Sequence, residues 1–141
     1  MPRAVDVAGM AREYQVLVCD DDPEVCAAMR RTLHRYGVTT VGSTAEALTE
    51  LRLRPYHAVL SDFDLSAASD GLELLQIVRL LYPETVRFLI TGDPDLNVAI
   101  RAVNEGSVHR FFRKPWDPEQ LVATMELQIR TRRADTAEVA P

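Results

Sequence analysis

Short apolar runs alternate along this chain with stretches whose apolar positions recur every three or four residues. The runs Val16-Leu17-Val18-Cys19, Ala58-Val59-Leu60 and Phe88-Leu89-Ile90 are apolar at consecutive positions. Consecutive side chains of a strand point to opposite faces, so such runs predict strands covered on both sides, as in a parallel sheet. Five strands are predicted: Gln15–Asp20, Val38–Gly42, His57–Asp62, Arg87–Thr91 and Val108–Arg113. The last mixes His109, Arg110 and Arg113 with its apolar residues, which predicts a sheet edge.

Helices are predicted between the strands. Their stripes are Val25, Met29, Leu33; Leu48, Leu51; Leu74, Val78, Leu81; Ala99, Ala102, Val103; and Val122, Met125, Ile129. Spacings of three and four put each stripe on one helix face, most simply a face turned to the core. Asp-Pro occurs at Asp22-Pro23, Asp93-Pro94 and Asp117-Pro118. An aspartate there accepts free backbone N–H groups, and proline at the first helical position loses no hydrogen bond. Ser43 with Glu46 fits a capping box, and Asp70 is a candidate cap for the third helix. Gly37 and Gly106 fit C-terminal caps. Five strand–helix units in succession require a parallel sheet with helices on both faces. Segments 1–13 and 132–141 fall outside the pattern, as an N-terminal extension and a frayed tail or linker. The domain itself is expected over 14–131.

Composition narrows the function. The chain has 141 residues and a net charge of −5, with a pI near 5.2. A nucleic-acid surface would need a basic face, so direct nucleic-acid binding is not expected. No apolar run approaches the ~18 residues of a membrane span, and the first 13 residues carry no signal-like apolar stretch. The chain reads as soluble and cytoplasmic. Cys19 and Cys26 form no CxxC and are expected to be small buried thiols. His34, His57 and His109 form no triad with a serine or cysteine, so hydrolase chemistry has no support. The 16 basic residues comprise fifteen arginines and one lysine, Lys114. An arginine bias does not explain where that lysine sits.

Ligand sites of open parallel sheets form beyond the C-terminal strand ends. Four of those ends here carry Asp20-Asp21, Ser61-Asp62-Phe63-Asp64, Thr91-Gly92 and Arg113-Lys114-Pro115. Singly, each has an ordinary role in a turn, a cap or a solvated surface. Together they are an unusual delivery of acids, a hydroxyl and a cation to one edge. Carboxylates of Asp20, Asp21 and Asp62 would repel one another at close range. A divalent cation removes that repulsion, and Mg²⁺ keeps waters and adds phosphate oxygens readily. Lys114 offers a compact cation to pair with one carboxylate, and Thr91 a donor for a tetrahedral oxyanion, with Gly92 leaving it room. Nucleophile, metal, cation and hydroxyl are the parts of phosphoryl transfer onto an aspartate.

On these residues the sequence resembles the receiver domain of two-component response regulators. The resemblance covers about residues 14–131. It rests on Val16 through Asp22, Ala58 through Asp62, Leu89-Ile90-Thr91-Gly92 and Lys114-Pro115. The stretches Val103-Asn104-Glu105-Gly106 and Arg110 through Asp117 are similar to one subgroup, the receivers linked to HD-GYP outputs and NtrC-like hydrogenase regulators. The resemblance implies a flavodoxin-like (βα)5 sandwich with strand order 2-1-3-4-5. It implies that Asp62 takes a phosphoryl group from a histidine kinase or phosphotransfer domain, without independent turnover. Mg²⁺, or Mn²⁺, would be held by Asp21 and Asp62 side chains, by the Asp64 backbone carbonyl and by Asp20 through water. Lys114 would pair with Asp62, Thr91 would move to the phosphoryl oxygen, and Phe111 would turn inward as the aromatic switch. The Lys114-Pro115 peptide is expected to be cis. A C-terminal output domain, and a homodimer through the helix 4–strand 5–helix 5 face, are implied in the same way.

Two features depart from the family pattern. Ser66 stands where a proline is usual, and the loop 66–71 is one residue longer. Asp64 and Asp93 occupy positions whose side chains tune hydrolysis in the family. Two other readings compete: a receiver fold that serves only as an interaction module, and a haloacid-dehalogenase-like phosphatase. The latter is suggested by Asp62-Phe63-Asp64-Leu65-Ser66. That motif belongs on a first strand, whereas Asp20-Asp21 precede it here.

Overall fold

The computed structural model describes residues 14–65, 71–92, 96–105 and 107–139. Five strands, β1 Gln15–Cys19, β2 Gly37–Val41, β3 Ala58–Asp62, β4 Val86–Thr91 and β5 Arg110–Arg113, alternate with five helices. These are α1 Pro23–Thr32, α2 Thr44–Leu53, α3 Gly71–Leu81, α4 Leu96–Asn104 and α5 Pro118–Val139. All strand pairs are parallel, in the order β2-β1-β3-β4-β5.

The consecutive apolar positions do what strand geometry requires. Leu17, Cys19, Val59 and Leu89 face one side and pack with Ala47, Leu51, Leu74, Leu75, Val78 and Ala102 of α2, α3 and α4. Val16, Val18, Ala58, Leu60, Phe88 and Ile90 face the other side and meet Met29 of α1 and Leu121, Met125 and Ile129 of α5. The central strands β3 and β4 are buried throughout, whereas β2 is half-buried and β5 is exposed at both ends. The alternating pattern of the last strand is thus an edge pattern.

Two Asp-Pro starts are caps as expected. Asp22 Oδ1 accepts from Glu24 N–H at 2.9 Å, and Asp117 Oδ1 accepts from Glu119 N–H at 3.0 Å. Ser43 Oγ accepts from Glu46 N–H at 3.1 Å, while the Glu46 carboxylate reaches Gly42 N–H at 2.7 Å, one residue before the expected partner. Asp70, Asp93-Pro94, Gly106 and the loop 66–70 lie outside the described residues.

Five expectations are corrected. Leu81 and Val103, expected on core-facing stripes, are 63% and 38% exposed. Gly37 is no helix cap: α1 ends at Thr32, where Leu33 N–H returns to Met29 O, and Gly37 opens β2. There a Cβ would meet only the end of the Gln15 side chain, which a change of rotamer can move aside. The last strand starts at Arg110, not Val108. The Ser107 carbonyl before it is taken by Arg87 Nε at 3.0 Å instead of by a ladder. Cys19 is buried, but Cys26, in the first turn of α1, is only half-buried. The frayed end expected after Thr131 is helical to Val139. Arg132 Nη2 donates to Pro83 O at 2.8 Å, and the Arg133 guanidinium lies 5.6 Å from the Tyr14 ring, so the helix is held past that point.

Candidate functional site

The C-terminal ends of β1, β3, β4 and β5 meet at one edge. The Asp20 backbone continues the ladder from β1, its N–H donating to Val41 O at 3.0 Å. Its carboxylate then turns into the site. Oδ1 accepts from Asp22 N–H at 2.9 Å, and Oδ2 accepts from Lys114 Nζ at 3.0 Å. Asp62 ends β3, and its Oδ1 lies 3.1 Å from the same Nζ. Lys114 follows β5, with its N–H on Thr91 O at 2.9 Å, which ties the lysine's position to the end of β4. The Lys114-Pro115 peptide is cis.

Asp20 and Asp62 are buried, and the Lys114 side chain is only 22% exposed. Burial pushes the Asp62 carboxyl above the ordinary carboxylate value. The hydrogen bond from Lys114 and that from the Asp64 backbone N–H oppose this, while the neighbouring Asp20 charge adds to it. Burial acts against the Lys114 ammonium, but its bonds to Asp20 and Asp62 prevail and raise its pKa. Asp21 is exposed, yet one carboxylate oxygen from each of Asp20, Asp21 and Asp62 fits within 4.8 Å of the others. Three carboxylates against one ammonium leave the cluster net negative. Hard, close-set oxygens suit a small divalent cation, and the residues present fit one.

The other predicted residues divide. Thr91 is buried at the end of β4. Phe111 pairs in register with Leu89 and packs, half-buried, on the same sheet face. Strand alternation puts Thr91, two residues beyond Leu89, on that face as well. Phe112 points the other way, 5.7 Å from the Phe88 ring. Asp64 is exposed, and its backbone N–H, not its carboxylate, meets Asp62. A Cβ on Gly92 would meet Lys114 Cβ at 3.8 Å, an ordinary contact, so crowding does not demand glycine in this arrangement.

Sequence reasoning missed several contacts here. Lys114 holds two carboxylates, not one. Cys26 Sγ donates to Asp20 O at 3.3 Å. Trp116 Nε1 donates to Thr32 Oγ1 at 2.9 Å, joining the segment after Lys114 to the end of α1. None of these carries a local signal, because the partners lie far apart in sequence or involve backbone atoms.

Comparison with known proteins agrees with this geometry. A family model for the response regulator receiver domain matches residues 16–126. The chain belongs to the response regulator receiver family. The receiver is 35% identical over 119 residues to the hydrogenase transcriptional regulatory protein HoxA of Cupriavidus necator, covering 84% of this chain and 24% of that protein. It is 31% identical to the DNA-binding transcriptional regulator NtrC of Escherichia coli, covering 81% and 24%. The chain thus spans about a quarter of the length of such relatives. Among solved structures, the signal receiver domain of an HD domain-containing protein from Pseudomonas fluorescens superposes with a TM-score of 0.83. It is 27% identical, with coverage of 99% and 100%. The hydrogenase-regulator branch of the subgroup resemblance therefore recurs among the relatives. The phosphatase reading loses its basis, since Asp62 stands on the third strand of a receiver sheet beside Asp20.

Proposed function

We propose that Asp62 is the phosphoryl acceptor of this receiver, and that the edge around it is built to make, hold and report one acyl phosphate. The observation that carries the reading is the single lysine of the chain bridging Asp20 and Asp62. An Asp62 oxygen attacks the phosphorus of a phosphohistidine. The phosphorus–nitrogen bond breaks, and its electron pair leaves with the imidazole. Asp62 is suited to the attack because Lys114 and the Asp64 amide fix its carboxylate without blocking all of its lone pairs.

Asp20, Asp21 and Asp62, with the Asp64 carbonyl, would hold Mg²⁺ or Mn²⁺. When bound, the ion neutralises charge developing on the transferred phosphoryl group. Lys114 follows the charge from the carboxylate to the phosphoryl oxygens. Phosphorylation adds about −1.5 to −2 charge. The Thr91 hydroxyl then turns to the new oxygens, and Phe111, on the same face, repacks into the space left. The α4–β5–α5 face carries the change, and a homodimer through it is the accompanying proposal.

A histidine kinase or phosphotransfer domain is the proposed donor, and an output domain the proposed recipient. No described helix is long and apolar enough to cross a membrane. The proposed setting is the cytoplasm, and the proposed role is signalling without independent turnover. The test is one assay. Incubated with acetyl phosphate and Mg²⁺, the wild type should gain the mass of one phosphoryl group and Asp62→Asn should not. A wild type that gains none, with no spectral response to beryllofluoride, leaves the interaction-module reading standing.

A further inference from the structure

Gly71 opens α3 and is buried. Its N–H donates to Phe63 O at 2.9 Å. Its Cα lies so close to the acceptor's backbone that a Cβ would overlap the Asp62 carbonyl oxygen. The same Cβ would stand 2.7 Å from the Asp62 carbonyl carbon and 2.6 Å from Ser61 Oγ. Side-chain carbons do not approach backbone so closely, so only glycine fits while the strand end stays where it is.

That strand end is held on its other sides too. Ser61 Oγ donates to the same Asp62 carbonyl at 3.2 Å. Phe63 N–H donates to Ile90 O of β4 at 2.8 Å. The chain leaving Asp62 and the chain entering α3 therefore meet at one hydrogen bond, directly behind the acceptor. We infer that Gly71 is a positioning residue. By closing on the Asp62 carbonyl it sets the acceptor's backbone, and with it the reach of the carboxylate toward Lys114 and the incoming phosphorus. The inference rests on Asp62 being the acceptor.

A methyl group at position 71 must displace something. α3 is anchored by Leu74, Leu75 and Val78, all fully buried against the sheet, so lifting it would open the core. The cheaper movement is of the Asp62 peptide, whose carboxylate meets Lys114 at 3.1 Å. Relieving the overlap needs a shift on the order of 1 Å, and misplacement of that size can cost ~10²-fold in rate.

The experiment follows single-turnover phosphorylation by acetyl phosphate, read as intact mass at fixed Mg²⁺ and normalised to folded protein by circular dichroism. Gly71→Ala should react about 10²-fold more slowly, with its spectrum unchanged. The loss should fall on the rate at saturating acetyl phosphate and not on the concentration that gives half of that rate, because a displaced carboxylate alters the attack and not the binding of the donor. Equal rates in wild type and Gly71→Ala overturn the inference. If Gly71→Ala does not fold, Ser61→Ala decides. It removes the hydroxyl bond to the same carbonyl without adding an atom and should slow the reaction several-fold, and an unchanged rate overturns the inference. A wild type that takes no phosphate overturns the acceptor reading, and this inference with it.

Discussion

Lys114 Nζ lies 3.0 Å from Asp20 Oδ2 while also contacting Asp62 at 3.1 Å, so one ammonium holds two strand ends 94 and 52 residues away. The residue is conservative to change in charge only. An ammonium is a compact point charge with rotatable donors, whereas a guanidinium is a wide planar fork. Lys114→Arg should therefore keep the fold but lose one of the two contacts. Its circular dichroism should match wild type, and its spectral response to beryllofluoride should be markedly reduced. A full response would mean that any cation suffices here.

The carboxylates of Asp20, Asp21 and Asp62 converge within 4.8 Å with one ammonium to offset them. Folding therefore builds in repulsion that a divalent cation relieves. Mg²⁺ should raise the melting temperature, with the rise following the logarithm of its concentration above the dissociation constant. Binding to the folded state alone gives about 2.7 kcal/mol at a hundred times the dissociation constant. Asp21→Asn should remove most of the Mg²⁺-dependent rise while leaving the metal-free melting temperature unchanged or higher, since it deletes one repelling charge. An undiminished rise in that variant would place the ion elsewhere.

Trp116 is the sole tryptophan, and its Nε1–H donates to Thr32 Oγ1 at 2.9 Å. Thr32→Val keeps the shape and removes the acceptor. The expected cost is about 0.5–1.5 kcal/mol, the usual net worth of such a bond. The emission maximum should shift as the indole loses its partner. Unchanged emission and stability together would show that water replaces the threonine without loss.

What could be read in advance follows from the range of each interaction. Strand alternation and helical spacing are local, so the two-sided burial of Leu17, Val59 and Leu89 against Val16, Leu60 and Phe88 was legible. The edge that gathers Asp20, Asp62, Thr91 and Lys114 was legible too, because each residue ends a strand or directly follows one. Gly37 was misread because a glycine between helix and strand serves either end equally well, and only the point where α1 stops, at Thr32, decides. The second arm of Lys114 and the closure of Gly71 on Asp62 had no sequence signal. Both depend on distances between elements that no local pattern encodes.

At the opposite edge of the sheet, His109 makes stability depend on pH. Its Nδ1 accepts from the Arg87 backbone N–H at 3.0 Å, and the His109 backbone N–H donates to Arg87 O at 2.8 Å. The ring must be unprotonated at Nδ1 to accept. Burial, and then the charges of Arg87 and Arg132, lower its pKa to about 4, although the backbone bond from Arg87 works against the shift. Arg87 itself is buried and tied to the carbonyls of Ser107, Pro83 and Thr85, so the cation cannot turn away. The unfolded chain takes a proton on this histidine below about pH 6.5, whereas the folded chain resists it until about 4. The stability due to the neutral ring is thus complete above about 6.5 and declines as pH falls toward 4. His109→Asn keeps a side-chain oxygen to accept from Arg87 and has no group to titrate. Urea midpoints measured from pH 7.5 to 4.5 should fall for wild type and fall less for His109→Asn. Parallel curves would mean that carboxylates, not His109, set the acid limb.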